Sequence, residues 1–256
     1  MQHWGLLRTQ VNPTFKVLFV EYGIYLFIFC WIVFVFIKNK VDVSQFIGVL
    51  NNKSIWAIIN VLIPLLLFCY AGIWLTYYPV SFFFPDYVEK LLNDKKLNFI
   101  LSSSRYYIPF FIQFLLIGPF FEEVVFRGLI IHRLAIKYGI IPTVFISSLL
   151  FAIAHFKLNI LSFFVLGLIL SIVYLKTRSL VASIILHFSY NLGGLLYDII
   201  SFHLSKGNNT YSIIKFRSDI WIAGICLLIS LSWFIFLFKR YWPKSTMTLP
   251  YFTSKL

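Results

Sequence analysis

Six side chains are candidates for chemistry: Glu122, Glu123, Arg127, His155, His187 and Asn191. All are ionisable or strongly polar, and all fall within or at the edge of long apolar runs. Placing Arg, Lys or Asp at the centre of a membrane helix costs roughly 2.5–3.5 kcal/mol on insertion scales, so such residues mark functional sites by default. In Phe121-Glu122-Glu123-Val124-Val125-Phe126-Arg127, Glu123 and Arg127 stand four residues apart. They share a helix face and can pair, which lowers the cost of burying both. Glu122 lies about 100° further round the helix and points away from that pair. A carboxyl held in a low dielectric away from cations has a raised pKa, which suits general acid–base work. One glutamate therefore reads as structural and the other as chemical. The competing reading is a charged interfacial patch that ends a span.

His155 closes the run Phe151-Ala152-Ile153-Ala154-His155, and alone it reads as an interfacial residue snorkelling towards Lys157 and water. His187 and Asn191 sit one turn apart on one face, followed by Gly193 and Gly194, which permit close helix packing. A simple interhelical hydrogen bond would also explain that pair. Taken together, these polar groups lie on three otherwise apolar segments, and polar groups in a bilayer face inward and seek one another. One shared cluster is the expectation. It contains no nucleophile set beside a base: Cys30, Cys69 and Cys226 lie elsewhere, and Ser189 faces away from His187 and Asn191. G-x-S-x-G and H-E-x-x-H are absent. Two chemistries remain. A Glu-His-His set can bind zinc. Without metal, Glu122 and His155 activate a water that attacks a carbonyl, while His187 and Asn191 donate hydrogen bonds to the oxyanion.

The elements that must position these groups are bilayer crossings. Of 256 residues 60% are hydrophobic and only 12% charged, with a mean hydropathy of +0.87. Soluble domains carry about 25% charged residues, so an ordinary soluble enzyme is excluded, and so is a disordered chain. About 20 apolar residues cross the hydrocarbon core. Seven runs qualify: 17–37, 55–78, 106–138, 140–156, 160–175, 180–200 and 220–238. The third is long and carries Gly118-Pro119 near its middle, which predicts one kinked crossing. The predicted fold is an all-α, polytopic transmembrane helical bundle of about seven spans, with six or eight possible. It forms a single membrane domain, 1–256, with a catalytic core at about 106–200. The first 16 residues contain Pro13 and polar residues, and no cleaved signal is expected. The net charge is +13, with the basic residues in short gaps between apolar runs. That pattern points to the lipid bilayer as partner and away from nucleic acid. Lys and Arg number 10 on one side and 11 on the other, which leaves orientation open.

The three motifs resemble those of a known family. E-E-x-x-x-R at 122–127, F-x-x-x-H at 151–155 and H-x-x-x-N at 187–191 are similar, in order and on successive apolar segments, to the CPBP family (CAAX-protease and bacteriocin-processing, or Abi, proteins). The resemblance covers residues 108–191. It implies an intramembrane glutamic endopeptidase in which Glu122 activates water with His155. His187 and Asn191 would stabilise the tetrahedral intermediate, and Glu123 and Arg127 would hold the site together. It also implies no metal cofactor, with zinc as the lesser alternative, and a membrane-associated or secreted peptide or protein substrate. Composition and the lack of eukaryotic targeting signals suggest a bacterial plasma-membrane protein. Two other classes stay open: a proton-coupled transporter using the same Glu and His residues as a relay, and a non-catalytic immunity or scaffold protein. Glu21, His132 next to Arg133, and Asp198 near His203 read as interfacial or surface groups.

Overall fold

The computed structural model describes residues 13–93, 104–155, 159–204, 212–244 and 247–250. The side chains of Glu21, Asp198 and His203, and Lys157, lie outside the described residues. Among those described there are ten helices and no strands. They are α1 (Pro13–Asn39), α2 (Val43–Ile47), α3 (Asn52–Phe83), α4 (Pro85–Leu92), α5 (residues 104–138), α6 (Ile140–Ala154), α7 (Ile160–Thr177), α8 (Leu180–Leu204), α9 (Ile213–Ser218) and α10 (Ile220–Tyr241). The protein is an all-α, polytopic membrane bundle.

Five helices are long and apolar enough to cross a membrane: α1, α3, α7, α8 and α10. The seven expected crossings also require α5 and the shorter apolar α6. Packing of the helix ends agrees with that alternation. One core cluster gathers Phe36 of α1, Phe46 of α2, Ile131 of α5, Ile140 of α6, Leu175 of α7, Leu180 of α8 and Trp242 after α10. A second cluster joins Trp74 and Tyr77 of α3, Val88 of α4, Phe216 of α9 and Ala223 of α10. The two clusters mark opposite ends of the bundle, here the basal and apical ends.

The third crossing differs from its expected form. No break occurs at Gly118-Pro119; α5 runs unbroken and widens into π-helix at Gln113–Ile117 and again at Val124–Ile130. The first π-turn answers the proline. Pro119 has no N–H to give, and the Gly118 N–H reaches past Phe114 to the Gln113 carbonyl. The helix thereby carries the proline without stopping. The second π-turn ends where the Ile131 N–H bonds to the Phe126 carbonyl. Single π-turns within α-helices are frequent at functional sites, and the two here flank Glu122 and Glu123.

The site is buttressed by close packing of α6 on α7. A Cβ built on Gly167 would stand 3.0 Å from the Ser148 Cα. Only glycine lets the two backbones approach so closely, which is how helices associate where apolar burial alone gives no preference over lipid. His132 is a correction to the interfacial reading. It is buried, and its Nε2 lies 2.7 Å from the Tyr174 hydroxyl of α7. The exposed Arg133 takes the interface instead.

Candidate active site

Arg127 anchors the cluster. Its Nη1 donates to Glu123 Oε1 at 2.7 Å, and both side chains are fully buried. Its Nη2 donates to the Gly167 carbonyl of α7 at 3.0 Å, and its guanidinium lies over the Phe151 ring of α6 at 4.6 Å. The planar fork thus ties α5 to two neighbouring helices, which a lysine ammonium cannot do in the same geometry. Two buried charges satisfied by each other and by a carbonyl meet the condition for tolerating a buried ion pair.

Glu123 Oε1 makes a second contact, 2.9 Å from His187 Nδ1 on α8. Only a protonated Nδ1 can donate to that carboxylate, so in the neutral ring Nε2 carries the lone pair. Nε2 faces Glu122 Oε2 at 3.9 Å. His155 repeats the arrangement from the end of α6. Its Nδ1 lies 2.8 Å from the Phe151 carbonyl, an oxygen that can only accept. Its Nε2 faces Glu122 Oε2 at 3.7 Å. The His155 ring is held between Phe163, stacked at 4.2 Å between centroids, and Phe151 at 4.5 Å.

The two glutamates therefore have different surroundings, as their helical phase predicts. The Glu123 side chain is fully buried, whereas those of Glu122 and His155 are 27% and 21% exposed. Glu122 Oε2, His155 Nε2 and His187 Nε2 converge from three helices.

Asn191 sits one turn along α8 from His187, and its Nδ2 donates to the Phe114 carbonyl at 3.0 Å. The π-turn explains that bond. The Gly118 N–H has moved to Gln113, and the next residue is Pro119, so Phe114 has no donor from the turn above it. The asparagine supplies one. One amide hydrogen is so occupied, and the other remains for a further acceptor.

Several contacts were not visible in the motifs. The Gly167 carbonyl and the Phe163 ring come from α7, and neither has a local sequence signal. Tyr25 comes from α1: its hydroxyl and Glu122 Oε1 both lie within 4 Å of the point where a Gly118 Cβ would stand. Its ring stacks on Phe121, and the neighbouring Tyr22 hydroxyl donates to the Pro109 carbonyl at 2.9 Å.

The same segment is where similarity to known proteins lies. A family model described as "Type II CAAX prenyl endopeptidase Rce1-like" matches residues 104–193. The "Membrane-embedded CAAX protease MroQ" of Staphylococcus aureus (strain USA300) is 35% identical over 117 residues, which is 43% of this chain. The match spans about half of that relative's length, 46%. No solved structure gives a significant match. The family match begins with α5 and ends within α8, so it encloses every charged or polar side chain of the convergent cluster. Through that segment, residues 104–193, the chain is similar to CAAX-protease-like membrane proteins.

Proposed function

We propose that the protein is an intramembrane endopeptidase, in which water activated by Glu122 and His155 hydrolyses a peptide bond of a membrane-associated or secreted peptide or protein. The observation that carries this reading is the meeting of Glu122 Oε2 with two imidazole Nε2 atoms at 3.7 and 3.9 Å. The Glu122 carboxylate and the neutral His155 Nε2 are acceptors, whereas His187, in the protonated form that Glu123 balances, donates from Nε2. Atoms spaced in this way can each hold the same water at about 2.8 Å: its two hydrogens go to Glu122 and His155, and its oxygen accepts from His187.

In the proposed reaction the water gives its proton to Glu122, with His155 sharing it, and attacks the scissile carbonyl; the same proton then passes to the amine nitrogen as the C–N bond breaks. His187 donates from Nε2 to the oxyanion while protonated, with the Glu123 carboxylate at Nδ1 balancing the ring's charge. The second amide hydrogen of Asn191 serves the same oxyanion. Glu123 and Arg127 position His187 and do not touch the substrate. The reading assigns no metal. The bilayer, in which we place the protein as a multi-pass bacterial plasma-membrane component, presents the substrate.

The test is hydrolysis by the purified chain in liposomes against a library of hydrophobic and lipid-modified peptides, with new termini read by mass spectrometry. Wild type generates new termini. Glu122→Gln, inserted and folded like wild type, generates none. Equal cleavage by Glu122→Gln overturns the reading, and so does ion flux without cleavage by wild type.

A further inference from the structure

We propose that a cleft at the basal end of the bundle, lined by none of the side chains of the candidate active site, binds one anionic phospholipid. The cleft is a cavity of about 370 Å³ between the first turns of α3 and the last turns of α7 and α10. Its deep end is apolar and includes Val61, Ile169 and Leu237. Its mouth carries Lys176, Trp56 and Tyr241. From Ile169 to Lys176 the wall rises about 10 Å along the helix axis, a length for part of an acyl chain and no more. Trp56 is 64% exposed and Tyr241 37% exposed, so both sit on the lipid-facing surface. Trp and Tyr prefer the headgroup level, which places the mouth there.

Charge selects the headgroup. Lys176 is half-buried, with its stem in the cleft wall, and it forms no ion pair among the described residues. The rest of the basal end repeats that sign: Lys38, Arg133, Lys137, Arg178, Lys239 and Arg240 end or follow helices there. The sole described carboxylate on that face is Asp42, which is engaged with Ser44 and Gln45 at the start of α2. Hydrogen bonding from Ser44 lowers its pKa and keeps it ionised, one described negative charge among several cations. An apolar slot below a lysine, on a face with almost no acid, fits a phosphodiester with one net negative charge and a chain beneath it. A zwitterionic lipid fills the slot without matching the charge.

The test uses the full chain in phosphatidylcholine liposomes doped with brominated phosphatidylglycerol or brominated phosphatidylcholine. The Trp56 emission is isolated by subtracting the Trp56→Phe variant. Brominated phosphatidylglycerol is expected to quench Trp56 at about fivefold lower mole fraction, the preference that one lysine near a surface gives. Lys176→Gln removes that preference and Lys176→Glu reverses it, while Lys137→Gln, on the same face but outside the cleft, keeps it. Excess inorganic phosphate leaves the quenching unchanged, since the chain is part of the ligand. Equal quenching by the two lipids, a preference that survives Lys176→Gln, or displacement by phosphate overturns the proposal. Circular dichroism on each variant confirms that the helices are retained. None of these readouts depends on peptidase activity.

Discussion

Replacing Arg127 with methionine tests whether the buried pair holds the site. The substitution keeps most of the side-chain volume and removes three contacts: the 2.7 Å bond to Glu123, the 3.0 Å bond to Gly167 and the stacking over Phe151. Its larger effect is to leave the Glu123 carboxylate buried without its cation. Stranding one member of a buried pair costs about 3–5 kcal/mol. His187 Nδ1, already 2.9 Å from Glu123, can take up part of the counterion role, which places the expected loss near the lower limit, about 3 kcal/mol. At this chain length that corresponds to a fall in Tm of about 6–12 °C. The double variant Arg127→Met with Glu123→Gln carries neither charge and should recover to within about 1 kcal/mol of wild type, because a matched neutral pair escapes the desolvation cost. The assay is reversible unfolding in mixed micelles, followed by circular dichroism, on wild type, both single variants and the double. A loss below about 1 kcal/mol in Arg127→Met, or a double variant no more stable than that single one, refutes the reasoning.

Three further outcomes follow from the same contacts. Gly167→Ala forces a methyl against the Ser148 backbone, parts α6 from α7 and should cost about 1–3 kcal/mol in the same unfolding assay. Asn191→Asp sets a carboxylate against the Phe114 carbonyl in place of a donor; it should lose activity and about 1–3 kcal/mol of stability, whereas Asn191→Gln retains part of both. Peptide hydrolysis should survive strong chelation with no stoichiometric zinc in the protein; loss on chelation with recovery on adding zinc would convert the Glu122, His155 and His187 set into a His₂Glu metal site.

Local spacing made part of this site legible. Glu123 and Arg127 are four residues apart on one helix, so their shared face follows from geometry alone, and so does the different direction of Glu122. The apolar runs were legible for the same reason, since Lys38, Lys40 and the prolines after residue 78 bound them. What escaped the sequence is non-local or concerns backbone bonding. The Glu123–His187 contact joins residues 64 apart, and only the rarity of both groups in apolar runs hinted at it. The π-turn at Gln113–Ile117 has an ordinary sequence. Gly118-Pro119 reads as a kink because a missing N–H breaks one bond; that the helix can shift its register by one residue is a tertiary outcome. His132 was misread because its partner, Tyr174, lies 42 residues on and its neighbour Arg133 carries the interfacial charge.

The order of contacts explains why two adjacent glutamates serve the cluster better than one. Arg127 fixes Glu123, Glu123 accepts from the His187 Nδ1–H, and that contact turns the ring's Nε2 towards Glu122. The Phe151 carbonyl sets His155 in the same sense. A single glutamate cannot both hold a fully buried arginine and remain open to water, because the first task needs enclosure and the second needs access. Separating the tasks by one residue places them about 100° apart on the same helix turn. The π-turns let that turn stay continuous across Pro119, with Asn191 occupying the carbonyl that the shift leaves over. The polar cost of an irregular helix inside the bilayer is thus met by a residue of the same cluster, which links the integrity of α5 to the position of α8.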